Sequence, residues 1–211
     1  MAYQANGQVK DAVRLLEQVV EIRERTLTED HPDRLASQHA LAIAYQANGQ
    51  VKDAVRLLEQ VVKIKERTLA EDHPDRLASQ HVLAGAYRAN GQVKDAVRLL
   101  EQVVEIEERT LAEDHPDRLA SQHALAIAYQ ANGQVKDAVR LLEQVVKIKE
   151  RTLAEDHPDR LASQHVLAGA YRANGQVKDA VRLLEQVVKI RERTLAEDHP
   201  DRLASQHALA T

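Results

Sequence analysis

Histidine is the side chain with the widest chemical range in this sequence, and it recurs in a fixed pattern. The ten His fall in pairs, His31 with His39, His73 with His81, His115 with His123, His157 with His165 and His199 with His207. Each pair is accompanied by Asp and Ser, as in His31-Pro32-Asp33 and Ser37-Gln38-His39. Ser, His and Asp are the residue types of an acyl-transfer triad, and paired His can hold zinc. The spacing argues against both. Residues two apart on a helix point to different faces, so Ser37 and His39 cannot readily share a proton. Catalysis also needs one enclosed pocket, whereas this set is copied along the whole chain. There is no Cys, which removes thiolate ligands, thiol nucleophiles and disulfides. The expectation is therefore no catalytic residue, no metal and no cofactor. His31 is left to shape a turn before a helix, and His39 to line a surface.

What must position these residues is a repeat. Residues 2–43, 44–85, 86–127, 128–169 and 170–211 are five copies of one 42-residue unit. The second and fourth are identical, and the third differs from them only at Arg88, Glu105, Glu107, Ala124 and Ile127. The near identity reads as recent duplication or as design. Of 211 residues, 44% are hydrophobic, but Phe and Trp are absent and the five Tyr stand one per unit. That composition suits many small packing layers of Ala, Val, Leu and Ile better than one large core. Abundant Ala, Leu, Glu, Gln and Arg point to helix. No apolar run reaches a membrane span and no basic-then-apolar leader follows Met1, so the expectation is a cytoplasmic protein without a membrane partner. A net charge of −4 argues against nucleic acid as partner.

Each unit has two points of punctuation. Asn48-Gly49 is a helix C-terminus signal, with Gly in the left-handed position. Asp72-His73-Pro74-Asp75 is a helix start, with Pro tolerated in the first turn and acid favoured there. Two breaks predict two helices, A over 32–47 and B over 51–70. A three-helix repeat would need a third break, and a propeller blade would need turn residues and aromatics that are missing. Helix A carries Leu35, Gln38, Leu41, Ala42 and Tyr45 at helical spacing. Helix B carries Val51, Ala54, Val55, Leu57, Leu58, Val61, Val62, Ile64 and Leu69, a stripe wide enough to be wedged between two neighbours. Ala42 and Ala54 are read as close-contact points.

The spacing Gln38-x-x-Leu41-Ala42-x-x-Tyr45, followed by Ala54 and Leu58, resembles the tetratricopeptide repeat signature, with Gln38 and Leu58 where Trp and Phe are usual. Its Pro comes eight residues late, at Pro74, and the His73-Pro74-Asp75 ending is similar to the long repeats of kinesin light chains and of fungal NTPase-linked receptors. The resemblance spans 1–211 as a single repeat domain. It implies an all-α solenoid of antiparallel helix pairs stacked into a right-handed superhelix. It also implies a non-enzymatic scaffold that holds a protein or peptide in a groove lined by helix A. The groove positions fall on His39, Ile43 and Gln46; His81, Gly85 and Arg88; His123, Ile127 and Gln130; and His165, Gly169 and Arg172. Their alternation reads either as tuned ligand contact or as drift on a solvent-facing stripe. Chaperone-tail clamps use Lys and Asn in this groove, and these units do not match them.

Two further expectations concern charge and the chain ends. Lys63 and Lys65, with Lys147 and Lys149, flank Glu105 and Glu107 in the unit between them. They would set opposite charges side by side on neighbouring helices, or lie on a solvated face. The ends, Ala2-Tyr3 and Leu209-Ala210-Thr211, would continue the repeat in register. The alternative to a ligand-binding scaffold is thus a structural array that associates weakly, head to tail.

Overall fold

Pro has no backbone N–H to lose in a first helical turn, and Gly alone enters the left-handed region without penalty. Pro marks the start of helix A and Gly follows its end. The computed structural model describes residues 8–210. Tyr3, Gly7, Ala2 and Thr211, which carry parts of the sequence reading, lie outside the described residues. Among those described there are ten helices. These are α1 (Val9–Thr26), α2 (Pro32–Ala47), α3 (Val51–Thr68), α4 (Pro74–Ala89) and α5 (Val93–Thr110), then α6 (Pro116–Ala131), α7 (Val135–Thr152), α8 (Pro158–Ala173), α9 (Val177–Thr194) and α10 (Pro200–Ala210). Helices α2, α4, α6, α8 and α10 are the A type, the others the B type.

Helix A starts with Pro at its first position, and the preceding His caps it: Asp33 N–H donates to His31 Nδ1 at 3.2 Å, with the same bond at His73, His115, His157 and His199. It ends on Ala47. Gly49 N–H then donates to Gln46 O and Gln50 N–H to Tyr45 O, at 3.0 and 2.8 Å, which closes the orphan carbonyls of the last turn. The turn requires positive φ, and Gly49 has φ of 78°. Helix B stops at Thr68, two residues before the sequence expectation. Leu69 is extended, with φ −120° and ψ 150°, and its N–H makes the last bond of the helix, to Lys65 O.

The chain divides into two compact units, Met1–Ile106 and Glu107–Thr211. In the first, α1 packs on α2, α2 on α3 and α3 on α4. Ala42 of α2, Ala54, Val55, Leu58 and Val62 of α3, and Leu83 and Ala86 of α4 form one buried cluster, with Tyr45 and Tyr87 against it. Ala42 and Ala54 have no exposed surface, so the two backbones approach there as the small residues allow. In the second unit α6 packs on α7, α7 on α8, α8 on α9 and α9 on α10. Ala126, Ala138, Leu142 and Leu167 repeat the first cluster. Each helix B with an A helix on both sides therefore buries two faces, which accounts for its wide apolar stripe.

Candidate functional site

Capping by His31 and Pro32 fixes the rotation at which helix A begins, and that rotation decides where its row of side chains points. In the first unit the structure brings His39 and Ile43 together at a cavity of about 510 Å³ between α2 and α4. Ala36, Ala40, Leu35 and Ala78 form its apolar part; Asp33, Asp75 and Lys65 add polar groups. Gln46, one turn on, is half-buried and outside this cavity. On α4, His81 is half-buried and Arg88 exposed, and a side chain added at Gly85 would meet nothing within 4 Å.

In the second unit successive A helices touch through the same row. His123 Nδ1 lies 3.2 Å from Ser163 Oγ, and a Cβ on Gly169 would stand 4.0 Å from Gln130 Nε2. Arg172 donates to the carbonyl of Ala208 at 3.5 Å, and Nδ1 of His165 is buried without a hydrogen-bond partner. Ile127 is half-buried on α6. Ser and His thus do meet, but from different repeats rather than within one as Ser37 and His39 would have to. Lys149 Nζ donates to Ser163 Oγ at 3.0 Å, which leaves the hydroxyl proton free for a neutral His123 ring. Burial, reinforced by the Lys149 charge, pushes the His123 pKa down to about 4; burial also lowers His39 and His165. Ser163 is fully buried, so no substrate reaches it. The cluster holds helices together rather than attacking a bond.

Lys149 belongs to a row that the sequence reading misplaced. Lys63 is exposed, as a solvated face requires, but the residue two further on turns inward. Lys65 Nζ donates to Asp75 O and Ser79 Oγ at 3.0 and 2.9 Å. Arg23 and Arg191 donate to Asp33 O and Asp201 O. Glu107 stands at the same place in the third unit, where its Oε1 accepts from Ser121 Oγ at 3.1 Å and its buried Oε2 has no partner. Of the alternating charges, Lys63, Glu105 and Lys147 thus lie on a solvated face, whereas Lys65, Glu107 and Lys149 turn inward. The cations Lys65, Arg23, Lys149 and Arg191 tether a helix B to a first-turn carbonyl of the next helix A, whereas Glu107 reaches only the Ser121 hydroxyl. Lys65 lies three residues beyond Val62 on the buried stripe, a signal that could have placed it. Gln38 was read correctly as inward: its Nε2 donates to Glu24 Oε1 at 2.8 Å, a polar substitute for an aromatic ring.

The helical pairs and their capping chemistry invite comparison with known proteins. The model of the tetratricopeptide repeat matches residues 1–67, 45–109, 75–151, 117–193 and 159–211, which together span the chain. The chain belongs to the tetratricopeptide repeat family. Its tetratricopeptide pairs resemble the crystal structure of nearly identical TPR-like repeats from a Podosopora anserina kinesin light chain-like protein. The identity is 65%, over 92% of this chain and 91% of that one, at a TM-score of 0.83. A second structure of those repeats gives 65% identity, 93% coverage of both chains and a TM-score of 0.81. The structure of BtubC from P. vanneervenii shares the fold, at 17% identity over 95% of this chain and 81% of that one, TM-score 0.77. Among curated proteins none matches the chain. Tetratricopeptide arrays generally serve as non-enzymatic scaffolds for protein partners. Among the described residues no helix is long and apolar enough to cross a membrane, and no group of His, Asp or Glu could hold a metal ion.

Proposed function

We propose that this tetratricopeptide array is a cytoplasmic scaffold that holds an extended segment of another protein against the A-helix row. The observation that carries the reading is the cavity between α2 and α4. It puts His39 and Ile43 beside small Ala36, Ala40 and Ala78, and so offers an apolar floor with convergent polar groups at its edge. The 84-residue alternation supports the same reading: Val82, Gly85 and Arg88 on α4 replace Ala40, Ile43 and Gln46 on α2. Val82 packs against the buried cluster, whereas the changes at Gly85 and Arg88 alter the relief and charge of the helix face.

The test is selection from a displayed peptide library, followed by titration of selected peptides. Val or Ala at His39 and Ile43 together should weaken binding at least tenfold with the unfolding midpoint little changed. Retention of affinity in that variant would refute the groove assignment. The second reading, a structural array with no ligand of its own, is favoured by the identity of the second and fourth repeats, since they present the same side chains twice. Failure of every library to yield a groove-dependent binder would support it.

A further inference from the structure

The cavity between α2 and α4 carries charge of one sign at its edge. Asp30, Asp33 and Asp75 line it as exposed residues, and Lys65 is the one cation among the lining side chains. His39 adds no positive charge at neutral pH, since burial pushes its pKa below the ordinary 6.5. Nor is the Lys65 ammonium waiting for a ligand. It donates to the carbonyl of Asp75 and to the Ser79 hydroxyl, at 3.0 and 2.9 Å. That bond uses the backbone oxygen of Asp75 rather than its carboxylate. Asp33 is held in the same manner, its N–H donating to His31 and its carbonyl accepting from Arg23. Arg67, close to Asp30, is paired with Glu29.

Beside these carboxylates the lining is aliphatic, with Leu35, Ala36, Ala40, Ile43 and Ala78. Such a surface takes the methylene stem of a long basic side chain while the charged head stays at the wet edge. Other side chains fit it less well. An acidic one meets three carboxylates and an ammonium that is already engaged. An apolar one covers carboxylates without pairing them, and their lost hydration is not repaid. We propose that the partner segment held in this groove carries a Lys or Arg, its stem on Ala36, Ala40 and Ile43 and its charge beside Asp33 and Asp75, an assignment that rests on the groove reading given above.

The carboxylates are exposed, so the charge gives selectivity more than affinity. Its share is that of an exposed ion pair, and salt screens it. Packing on the aliphatic lining supplies the rest, and that part is insensitive to salt.

Peptides selected from a random library displayed on phage test this. Every residue that lines the cavity recurs between Asp114 and Ala162, so the variants change both copies. Clones are kept that bind the wild-type chain but not one carrying His39→Ala, Ile43→Ala, His123→Ala and Ile127→Ala. The kept clones should share a Lys or Arg at one aligned position. Synthetic peptides with Met at that position should bind about fivefold more weakly, and the difference should shrink as salt rises. A chain carrying Asp33→Asn, Asp75→Asn, Asp117→Asn and Asp159→Asn, folded by circular dichroism, should bind the basic and the Met peptide equally. The Met comparison stands on the wild-type chain alone, whatever the Asn changes do to folding. Kept clones without a shared basic residue, equal binding of the Met peptide by the wild-type chain, or a preference for Lys that survives the Asn changes would each overturn this assignment and leave the groove reading standing. A selection that yields no kept clone would overturn both.

Discussion

At the scale of the residue, the buried row of charged side chains is the feature that pattern reading handles least well. Leu58, Val61 and Val62 mark a buried stripe, yet a Lys three residues on reads as solvated because Lys normally is. Its amine is accommodated by Asp75 O and Ser79 Oγ, acceptors on another helix that one-helix periodicity cannot reveal. Glu107 and His123 make this row testable by pH. Burial pushes the Glu107 pKa from an ordinary 4.5 up to about 7. The folded state then favours the protonated form, so its contribution is present below pH 4.5 and is lost as pH rises through about 7. His123 acts in the opposite direction: its contribution is present above 6.5 and is lost as pH falls through about 4. Urea midpoints measured across this range should show Glu107→Gln gaining on the wild type as pH rises. His123→Asn should lose less than the wild type as pH falls. Parallel profiles for all three would contradict the assigned burial.

Helices were legible almost to the residue, since their ends are written in Pro, His, Asn and Gly. The exception is helix B, where the extended conformation of Leu69 ends the helix before a good helix former, Ala70. Glycine gives paired tests at this scale. Gly49 sits at φ 78° with open space around it, so Gly49→Ala should cost about 1 kcal/mol through backbone conformation alone. Gly85 is helical, and an added methyl meets nothing. Gly85→Ala should stabilise by about 0.5–1 kcal/mol. Equal effects of the two on the unfolding midpoint would show that local backbone geometry does not set the cost. Ala96 of α5 has no exposed surface, as the pattern of close contacts predicts. Ala96→Leu should overpack it by about 1–3 kcal/mol, and an unchanged midpoint would mean that the site has room.

Across the whole molecule, the sequence makes the family legible through its period and its Leu41, Ala42 and Tyr45 spacing, but it leaves the ligand unread. The reason is physical. Burial constrains Ala54 or Leu58 to one size and polarity, so their recurrence reports the fold, whereas packing places no such constraint on an exposed residue such as Arg88. Stability is assembled from neighbour contacts: within the first unit α2 rests on α1 and α3, and within the second α8 rests on α7 and α9. Such an array gains stability with every added neighbour interface. The direct measurement is denaturant unfolding of a series differing only in the number of 42-residue repeats. Midpoints that rise and transitions that sharpen with each added repeat are expected, with the gain per repeat nearly constant. Equal midpoints in short and long members of the series would contradict stability built from neighbour contacts.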